Sequence, residues 1–401
     1  MVIEFIKSSW KDTIRCTKEA AGGLIALPYP YTVPCADGIF QELYYWDTYF
    51  INKGLLLSGL AETALANANN LLYLADTFGF VPNGSNIELS NRSQPPFLSL
   101  IVYDIYECFG DKSWLEKAYK TLKTEYSFWI NRRAAAFGLS RYGGNYKESD
   151  NIKTYADMYR RRTGGEFRDI DDSALYRHSI AVFESGWDIT PRWGISALDY
   201  AQVELNSLLY ILEDNMAHFS EIIAPSETVL WQERKAARKN AMKKHMLKDG
   251  VYYDCNIKAD SVSDYFSAAS YFPLFAGLAS DSEARAAENM LHKIEFEHGI
   301  AVCEQKTADI TCQWAYPNSW APITYITVKG LLNYGLTGSA ARIAGKYINS
   351  VDKIYAGTNC LWEKYNAVTG NTDAASEYGT PPMLGWTAGV YLALKEISGQ
   401  T

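Results

Sequence analysis

The sequence is poor in the residues and patterns that anchor the commonest enzyme mechanisms. Histidine occurs five times in 401 residues, without His-Glu-x-x-His or another ligand spacing, and neither a Gly-x-Ser-x-Gly elbow nor a phosphate-binding glycine loop is present. No run of about 18 apolar residues occurs, and no apolar leader follows a basic start at the N-terminus. These absences argue against metal hydrolases, serine hydrolases, nucleotide-binding proteins and membrane proteins.

Cysteine shows no sign of disulfide or zinc chemistry. The seven cysteines are an odd number, and they are scattered without Cys-x-x-Cys or Cys/His ligand spacing. This usage is typical of reduced thiols in a core. Together with the missing leader, it predicts a cytoplasmic protein, and we expect no metal and no cofactor.

Clustered positive charge is also scarce. The net charge is −8 at pH 7, whereas nucleic acid and anionic lipid are bound by clustered Lys and Arg that neutralise phosphates. The one basic stretch, Glu233 to Lys248, has the spacing of a solvated helix face. We therefore expect no nucleic-acid or membrane partner, and a small neutral ligand fits the charge balance.

Helical periodicity dominates the chain, and strand alternation is rare. Apolar residues recur at helical spacing in about twelve segments: 3–21, 42–59, 62–78, 95–109, 112–135, 198–218, 226–247, 263–279, 281–294, 320–336, 338–355 and 384–398. Long connections rich in Trp, Tyr and Gly separate them, notably at 22–41, 79–94, 136–197, 248–262, 295–319 and 356–383. Six helical hairpins with long loops at one end would form an all-α (α/α)6 barrel. Because no linker divides the chain, we expect one domain over residues 1–401.

Carboxylates embedded among aromatic residues are the remaining candidates for chemistry. Asp188 lies between Trp187 and Trp193, and Glu363 lies beside Trp362. Apolar surroundings raise the pKa of a carboxyl group and so favour a proton donor. Cleavage of a glycosidic bond needs one acid for the leaving oxygen and one base for the attacking water. These residues alone leave the assignment open, because surface carboxylates are common.

Five ordered motifs make the sequence resemble the trehalase family of glycoside hydrolases (family 37), from about residue 38 to residue 391. The motifs are Gly38 to Phe50, Pro82-Asn83-Gly84, Asn91 to Pro96, Ser185 to Asp188 and Gln313 to Pro322. The resemblance implies an (α/α)6 barrel, no metal or organic cofactor, and inverting hydrolysis of an α-glucosidic bond. The substrate it implies is the neutral disaccharide α,α-trehalose.

The resemblance also assigns residues. Asp188 matches the general acid and Glu363 the general base. Positions that bind sugar hydroxyls in the family are matched by Trp46, Asp47, Asn83, Arg92, Gln94, Gly186 and Glu377, and Phe40 and Trp314 match walls of the pocket. Arg92 suits this role because its planar guanidinium can donate to two hydroxyls.

The chain departs from the family pattern at several places. Ile39 stands where the family has Arg, and Ala315 where it has Asp; residues 372–376 replace a glycine-rich run. The family's Arg-Pro-Glu has no clear match in 141–183, where Arg141 and Glu148 are candidate substitutes. These departures keep another α-glucosyl disaccharide, or a small α-glucoside such as a glucosylated polyol or acid, as the alternative substrate.

Two readings from other classes stay open at the level of sequence. A sugar-binding protein derived from such an enzyme would keep the pocket without turnover, although both catalytic carboxylates are in place. An isoprenoid-processing helical barrel is suggested by the acidic cluster Asp169 to Asp172, although such a cluster near a helix start is more typical of capping.

Overall fold

The computed structural model describes residues 1–145, 151–306, 312–373 and 379–399. Its α-helices are α1 Val2–Ser9, α2 Tyr45–Leu57, α3 Ala61–Phe78, α4 Leu98–Phe109, α5 Lys112–Ser127, α6 Ile152–Arg162, α7 Asp172–Glu184, α8 Val203–Ile223, α9 Thr228–His245, α10 Phe272–Phe275, α11 Asp281–Asn289, α12 Ala321–Asn333, α13 Thr337–Thr358 and α14 Gly385–Ile397. In the part of the chain that the structure describes, no helix combines the length and apolar character required to span a membrane.

Six of these helices form a closed inner ring. Helix α2 packs on α4, α4 on α8, α8 on α10, α10 on α12, α12 on α14, and α14 returns to α2. Helices α3, α5, α9 and α13 pack against the outside of this ring. Ring helices are buried nearly all round: α2, α12 and α14 each bury ten of 13 residues, whereas the outer α9 buries three of 18. The predicted all-α (α/α)6 barrel is confirmed.

Two glycines allow the ring to close. A Cβ on Gly389 in α14 would overlap the backbone carbonyl of Phe50 in α2, and a Cβ on Gly54 in α2 would lie 2.7 Å from the Cα of Gly389. Because the obstructing atoms belong to the backbone, side-chain rotation cannot relieve them. Glycine at both positions therefore lets the last helix dock on the first helix of the ring.

The strands are short and pair in antiparallel fashion at the ends of the helices. Strand β10 Asn318–Trp320 pairs with β11 Lys364–Asn366, with Trp320 opposite Lys364. The other pairs are β1 Ile14–Arg15 with β2 Tyr31–Thr32, β3 Tyr200–Ala201 with β6 Cys255–Asn256, β6 with β7 Ser261–Val262, β4 Leu247–Lys248 with β5 Val251–Tyr252, and β8 Glu295–Phe296 with β9 Gly299–Ile300. The β10–β11 pair brings two long loops together.

The predicted loop 136–197 is wrong in part, because it contains α6 and α7, which pack on each other. Helix α6 is polar, and only Ala156 and Tyr159 are buried in it, so its apolar periodicity is weak. The acidic cluster before α7 has a structural role. Asp171 caps the helix through the N–H of Ala174 at 3.0 Å, and Asp172 pairs with Arg160 at 2.7 Å.

Other boundaries also differ from the prediction. The first predicted helix, 3–21, ends as a short 3-10 turn at Thr13, and segment 263–279 is helical only over 268–275. All seven cysteines are free thiols, and four of them are buried as predicted: Cys35, Cys255, Cys303 and Cys312. The single domain over 1–401 stays a prediction.

Candidate active site

A cavity of about 730 Å³ opens at the end of the ring where α2, α12 and α14 begin. Ten of the eleven residues predicted from the sequence line it: Phe40, Trp46, Asp47, Asn83, Arg92, Gln94, Gly186, Asp188, Trp314 and Glu363. The eleventh, Glu377, lies outside the described residues. The sequence motifs thus meet in one place, while the roles of the individual residues stay predictions.

Indole rings form one continuous surface of the cavity. Trp314 stacks on Trp320 with ring centroids 4.2 Å apart, and its centroid lies 5.5 Å from that of Trp46. Trp386 meets Trp46 edge to face at 5.9 Å. Such a surface offers flat apolar faces for the C–H faces of a sugar ring, together with N–H donors. Trp320 and Trp386 line the cavity although the sequence analysis did not single them out.

Asp188 lies on the turn that follows α7. The turn begins at Gly186, whose φ of +71° favours glycine and where a Cβ would lie 3.0 Å from the Trp46 ring. Burial raises the pKa of Asp188 to about 6; the guanidinium groups of Arg162 and Arg92 oppose this rise, and Glu363 adds to it. The carboxyl group therefore keeps a proton into mildly acidic solution, which suits a proton donor.

Glu184, in the same motif as Asp188, anchors the turn. It is fully buried and accepts from Arg133 at 2.6 Å, from the backbone N–H of Ser93 at 2.8 Å and from that of Gly143 at 2.7 Å. These bonds join the end of α7 to the loop that carries Arg92. Glu184 does not line the cavity, so its carboxylate holds the site together from outside.

Arg192 anchors the other side of the turn. Its guanidinium pairs with Glu204 at 2.6 Å and Asp254 at 2.8 Å, and it lies 4.4 Å from the ring centroid of Trp187. Trp193 donates to Asp254 at 2.8 Å and does not line the cavity. The two indoles that flank Asp188 in the sequence are therefore core residues that fix the loop.

Glu363 is almost fully buried, with its side chain 2% exposed, and it is held on several sides. Its Oε2 lies 2.5 Å from Nζ of Lys364. Its backbone N–H donates to Pro381 at 3.1 Å, and its carbonyl oxygen accepts from Trp386 at 3.1 Å. Both main chain and side chain of this residue are thus fixed at the cavity wall.

A third carboxyl group faces the cavity from the first turn of α2. Asp47 is buried, and this burial raises its pKa to about 8, opposed by its own backbone N–H and reinforced by Glu363 and Asp188. Asp47 is therefore neutral at pH 7 in the free protein. A neutral carboxyl group can donate one hydrogen bond as well as accept others.

Amide groups hold the remaining loops of the cavity. Gln94 accepts from the backbone N–H of Trp46 at 3.2 Å, and Asn83 donates to the carbonyl oxygens of Ser93 and Phe183 at 3.4 and 3.5 Å. Arg92 donates to Asn91 at 2.7 Å, while its buried Nε has no hydrogen-bond partner among the described residues.

One face of α6 forms a wall that the sequence analysis missed. Asn151, Thr154, Tyr155, Met158 and Arg162 all line the cavity, at the spacing of a single helix face. The guanidinium of Arg162, like that of Arg92, lies 5.5 Å from the centroid of the Phe183 ring. Two guanidinium groups therefore face Asp188, one of them from a helix predicted as loop.

The structure describes one of the two candidate substitutes for the family's Arg-Pro-Glu. Arg141 donates to the carbonyl oxygen of Leu198 and does not line the cavity, so it does not replace a pocket arginine. Glu148 lies outside the described residues. Ile39 is 50% exposed, whereas its neighbour Phe40 lines the cavity.

Comparison with known proteins identifies the family. The family model described as Trehalase matches residues 2–398. The chain belongs to the trehalase family. It is 33% identical to the periplasmic trehalase of Xanthomonas campestris pv. campestris (strain 8004) over 98% of this chain and 72% of that protein. The periplasmic trehalase of Citrobacter koseri is 29% identical, over 98% of this chain and 73% of that protein.

Two solved structures share the architecture. Neutral trehalase Nth1 from Saccharomyces cerevisiae matches with a TM-score of 0.79 and 27% identity, over 98% of this chain and 79% of that chain. The GH63 mannosylglycerate hydrolase of Thermus thermophilus matches with a TM-score of 0.67 and 14% identity, over 98% and 99% of the two chains. The second likeness shows the fold alone.

The trehalase relatives correct one prediction. Proteins from Xanthomonas and Citrobacter in this comparison are named periplasmic trehalases, so the predicted cytoplasmic location is wrong. The prediction rested in part on the unpaired cysteines. Unpaired cysteines do not determine the compartment, because four of the seven thiols are buried in the fold.

Proposed function

We propose that this trehalase-family protein hydrolyses α,α-trehalose to two glucose molecules, with inversion at the attacked carbon. The observation that carries the proposal is that Asp188 and Glu363 line one cavity walled by tryptophan. A cavity of about 730 Å³ lies in the range of small-ligand sites. Relatives that match almost the whole chain are named trehalases, which supports a small neutral saccharide as the substrate.

The reaction divides between the two carboxyl groups. Asp188 gives its proton to the glycosidic oxygen while Glu363 takes a proton from a water molecule on the opposite face of the sugar. The water oxygen bonds to the anomeric carbon as the bond to the glycosidic oxygen breaks. The attacked ring leaves as β-glucose and the other as α-glucose. Solvent then returns a proton to Asp188 and removes one from Glu363.

The electrostatics of the site favour this division. Burial keeps Asp188 protonated in mildly acidic solution, and the ammonium of Lys364 beside Glu363 favours a carboxylate there. Both proton transfers are supplied by side chains, so we propose that the reaction uses no metal and no cofactor.

The other residues that line the cavity serve recognition in this proposal. Indole and phenyl faces pack against the sugar, and polar side chains bind its hydroxyls: Phe40, Trp46, Asp47, Asn83, Arg92, Gln94, Gly186, Trp314 and Glu377. Arg162 supplies a second guanidinium to a pocket whose family arginine is replaced by Ile39. That Arg92 and Arg162 both line the cavity supports hydroxyl contacts on their side of it.

Glucose release from trehalose by Asp188→Asn and Glu363→Gln tests the proposal. Each variant should lose at least about 100-fold in kcat, because general acid and general base catalysis each contribute about 10² to 10⁴. Asp249→Asn and Glu297→Gln are matched controls at exposed positions, and they should keep wild-type activity.

The same assay with a panel of α-glucosides separates the ways in which the proposal could fail. If the protein cleaves another α-glucoside but not trehalose, the proposed substrate is contradicted, whereas the proposed catalytic pair is not. Full activity of either site variant on trehalose would contradict the pair.

A further inference from the structure

Lys364 is a buried ammonium group next to the proposed base. Its side chain is 0% exposed, and its Nζ lies 2.5 Å from Oε2 of Glu363 and 3.3 Å from Oε1 of Gln313. The same nitrogen lies 4.9 Å from the centroid of the Trp320 ring. Burial of a lysine charge is costly unless the charge is paired. Glu363 is the carboxylate that pairs with this cation.

The fold places Lys364 at this point through strand pairing. Lys364 begins β11 and stands opposite Trp320 at the end of β10. Gln313 lies on the loop that leads into β10, and its carbonyl oxygen accepts from the Trp320 indole N–H at 3.3 Å. The three groups around the ammonium thus come from two paired segments that are fixed relative to each other.

Lys364 does not line the cavity, whereas Glu363 does. A residue in this position contacts no substrate and can act on the reaction only through its neighbours. Among the described residues, the polar neighbours of its ammonium include Glu363 and Gln313, and Glu363 is the nearer of the two. Gln313 also lines the cavity, so an effect of Lys364 that passes through the proposed base must be recognised by its pH dependence.

The surroundings of Glu363 show why a cation is needed. Asp47 faces it from α2 and Asp188 faces it from the turn after α7, since both pKa values respond to its charge. Cys35 faces it as well, but burial raises the pKa of that thiol to about 12, so it stays neutral. Arg92 and Arg162 act on Asp188. Like charges that face one another raise each other's pKa, and a cation in contact with one carboxyl group favours ionisation of that group.

We propose that Lys364 is the positioning residue of the base: it selects Glu363 as the ionised carboxyl group of the three and fixes its orientation. This inference rests on the proposed function. In this proposal no proton passes through Lys364. Its role is to keep one carboxylate ready to accept a proton from water while Asp188 and Asp47 remain protonated.

The pH dependence of kcat/KM on trehalose tests this role in Lys364→Met and Lys364→Arg. Loss of the cation should move the acidic limb of the profile upward by about 1 to 3 pH units, since an opposite charge within about 4 to 6 Å lowers a carboxyl pKa by that amount. Activity on the acidic side should then fall at least about tenfold. Arginine keeps the charge and should return the limb close to its wild-type position.

Lys53→Met is the matched control. Lys53 also pairs with a carboxylate, Asp104, at 2.7 Å, and neither residue lines the cavity. This variant should leave the acidic limb in place, even where it lowers stability. The proposal would be overturned if Lys364→Met had its acidic limb at the same pH as the wild type. It would also be overturned if Lys53→Met shifted the acidic limb as far as Lys364→Met does.

A second experiment keeps the proposal testable if Lys364→Met does not fold. Azide can attack the anomeric carbon without a base, so Glu363→Ala should form β-glucosyl azide and glucose, with Asp188 still protonating the leaving oxygen. The double variant Glu363→Ala/Lys364→Met has no unpaired buried charge at this position, which favours its folding. Equal azide-rescued rates in the single and double variants support action through Glu363 alone.

A further loss of the rescued rate in the double variant would overturn the proposal. Wild-type protein that does not cleave trehalose would instead refute the proposed function, so the two failures are distinguishable.

Discussion

Asp47, Asp188 and Glu363 all line the cavity, and they differ in the groups that surround them. Asp47 and Asp188 are protonated at higher pH than a solvated carboxyl group because burial disfavours their charge. Glu363 has the ammonium of Lys364 at 2.5 Å. In the proposed mechanism, residues of one chemical type thereby take the roles of neutral donor, acid and base.

The raised pKa of Asp47 predicts a specific pH dependence of stability. The folded protein holds a proton on Asp47 up to about pH 8, whereas the unfolded chain releases it near pH 4. Stability therefore falls as pH rises from about 4 to 8, because the unfolded state binds fewer protons in that window. Asp47→Asn removes this titration. Its melting temperature should exceed that of the wild type at pH 8 and match it near pH 4.

The control for this prediction is Asp249→Asn, which alters an exposed carboxylate in the same way. The difference in melting temperature between Asp249→Asn and the wild type should be the same at pH 4 and at pH 8. An Asp47→Asn protein whose melting temperature differs from wild type by the same amount at pH 4 and pH 8 would show that Asp47 does not titrate in this window.

Motif residues of the site could be predicted from the sequence, and supporting residues could not. Trp46, Asp188 and Glu363 each lie in an aromatic motif that can be recognised within a single segment of the sequence. Arg162 and Lys364 act through partners that are distant in the chain, such as Phe183 for the first and Gln313 for the second. Their positions follow only from the packing of α6 and the pairing of β10 with β11.

At the scale of elements, the crossing of α2 and α14 is the contact that closes the ring. The approach is so close that glycine is required on both helices, at Gly54 and Gly389. Helix α14 also carries Trp386, and α2 carries Trp46 and Asp47, so the crossing sets the distance between two walls of the cavity. Stability and site geometry therefore depend on the same contact.

Gly389→Ala should destabilise the protein, because the added methyl group meets the backbone of Phe50. Overpacking typically costs about 1 to 3 kcal/mol, and we expect the upper end of that range since the backbone must move. Gly345→Ala is the matched control: Gly345 lies in α13 and a Cβ there meets nothing within 4 Å. It should be neutral or slightly stabilising, by about 0.5 to 1 kcal/mol. Urea unfolding of both variants measures the difference, and equal stability of the two would contradict the close crossing.

Ring helices were predictable because nearly every turn of them is apolar, as in α2, α12 and α14. Helix α6 was missed because one of its faces lines the cavity and only two of its 11 residues are buried. Helix α7 buries nine of 13 residues, so lack of burial does not explain why it was missed. Their caps, Asn151 and Asp171, were visible in the sequence but were not combined with a helical pattern. Polar helices around a polar cavity lack the signal that periodicity detects.

At the scale of the whole molecule, one apolar core runs through the ring and a smaller cluster joins α6 and α7 to the loop before α8. Ring closure joins α2, near the start of the chain, to α14, near its end. We propose that residues 1–401 fold as one domain, because the ring cannot close without both ends. The smaller cluster includes Cys312 and Ala315, next to Trp314, and so attaches α6 and α7 to the cavity floor.

Proton NMR of the first glucose anomers released from trehalose tests the central claim most directly. Inversion by Asp188 and Glu363 predicts β-glucose from the attacked ring and α-glucose from the leaving ring, in equal amounts before mutarotation. Both signals should disappear together in Asp188→Asn and in Glu363→Gln. Release of α-glucose alone would mean retention and a covalent intermediate, and it would contradict the proposed roles of both carboxyl groups.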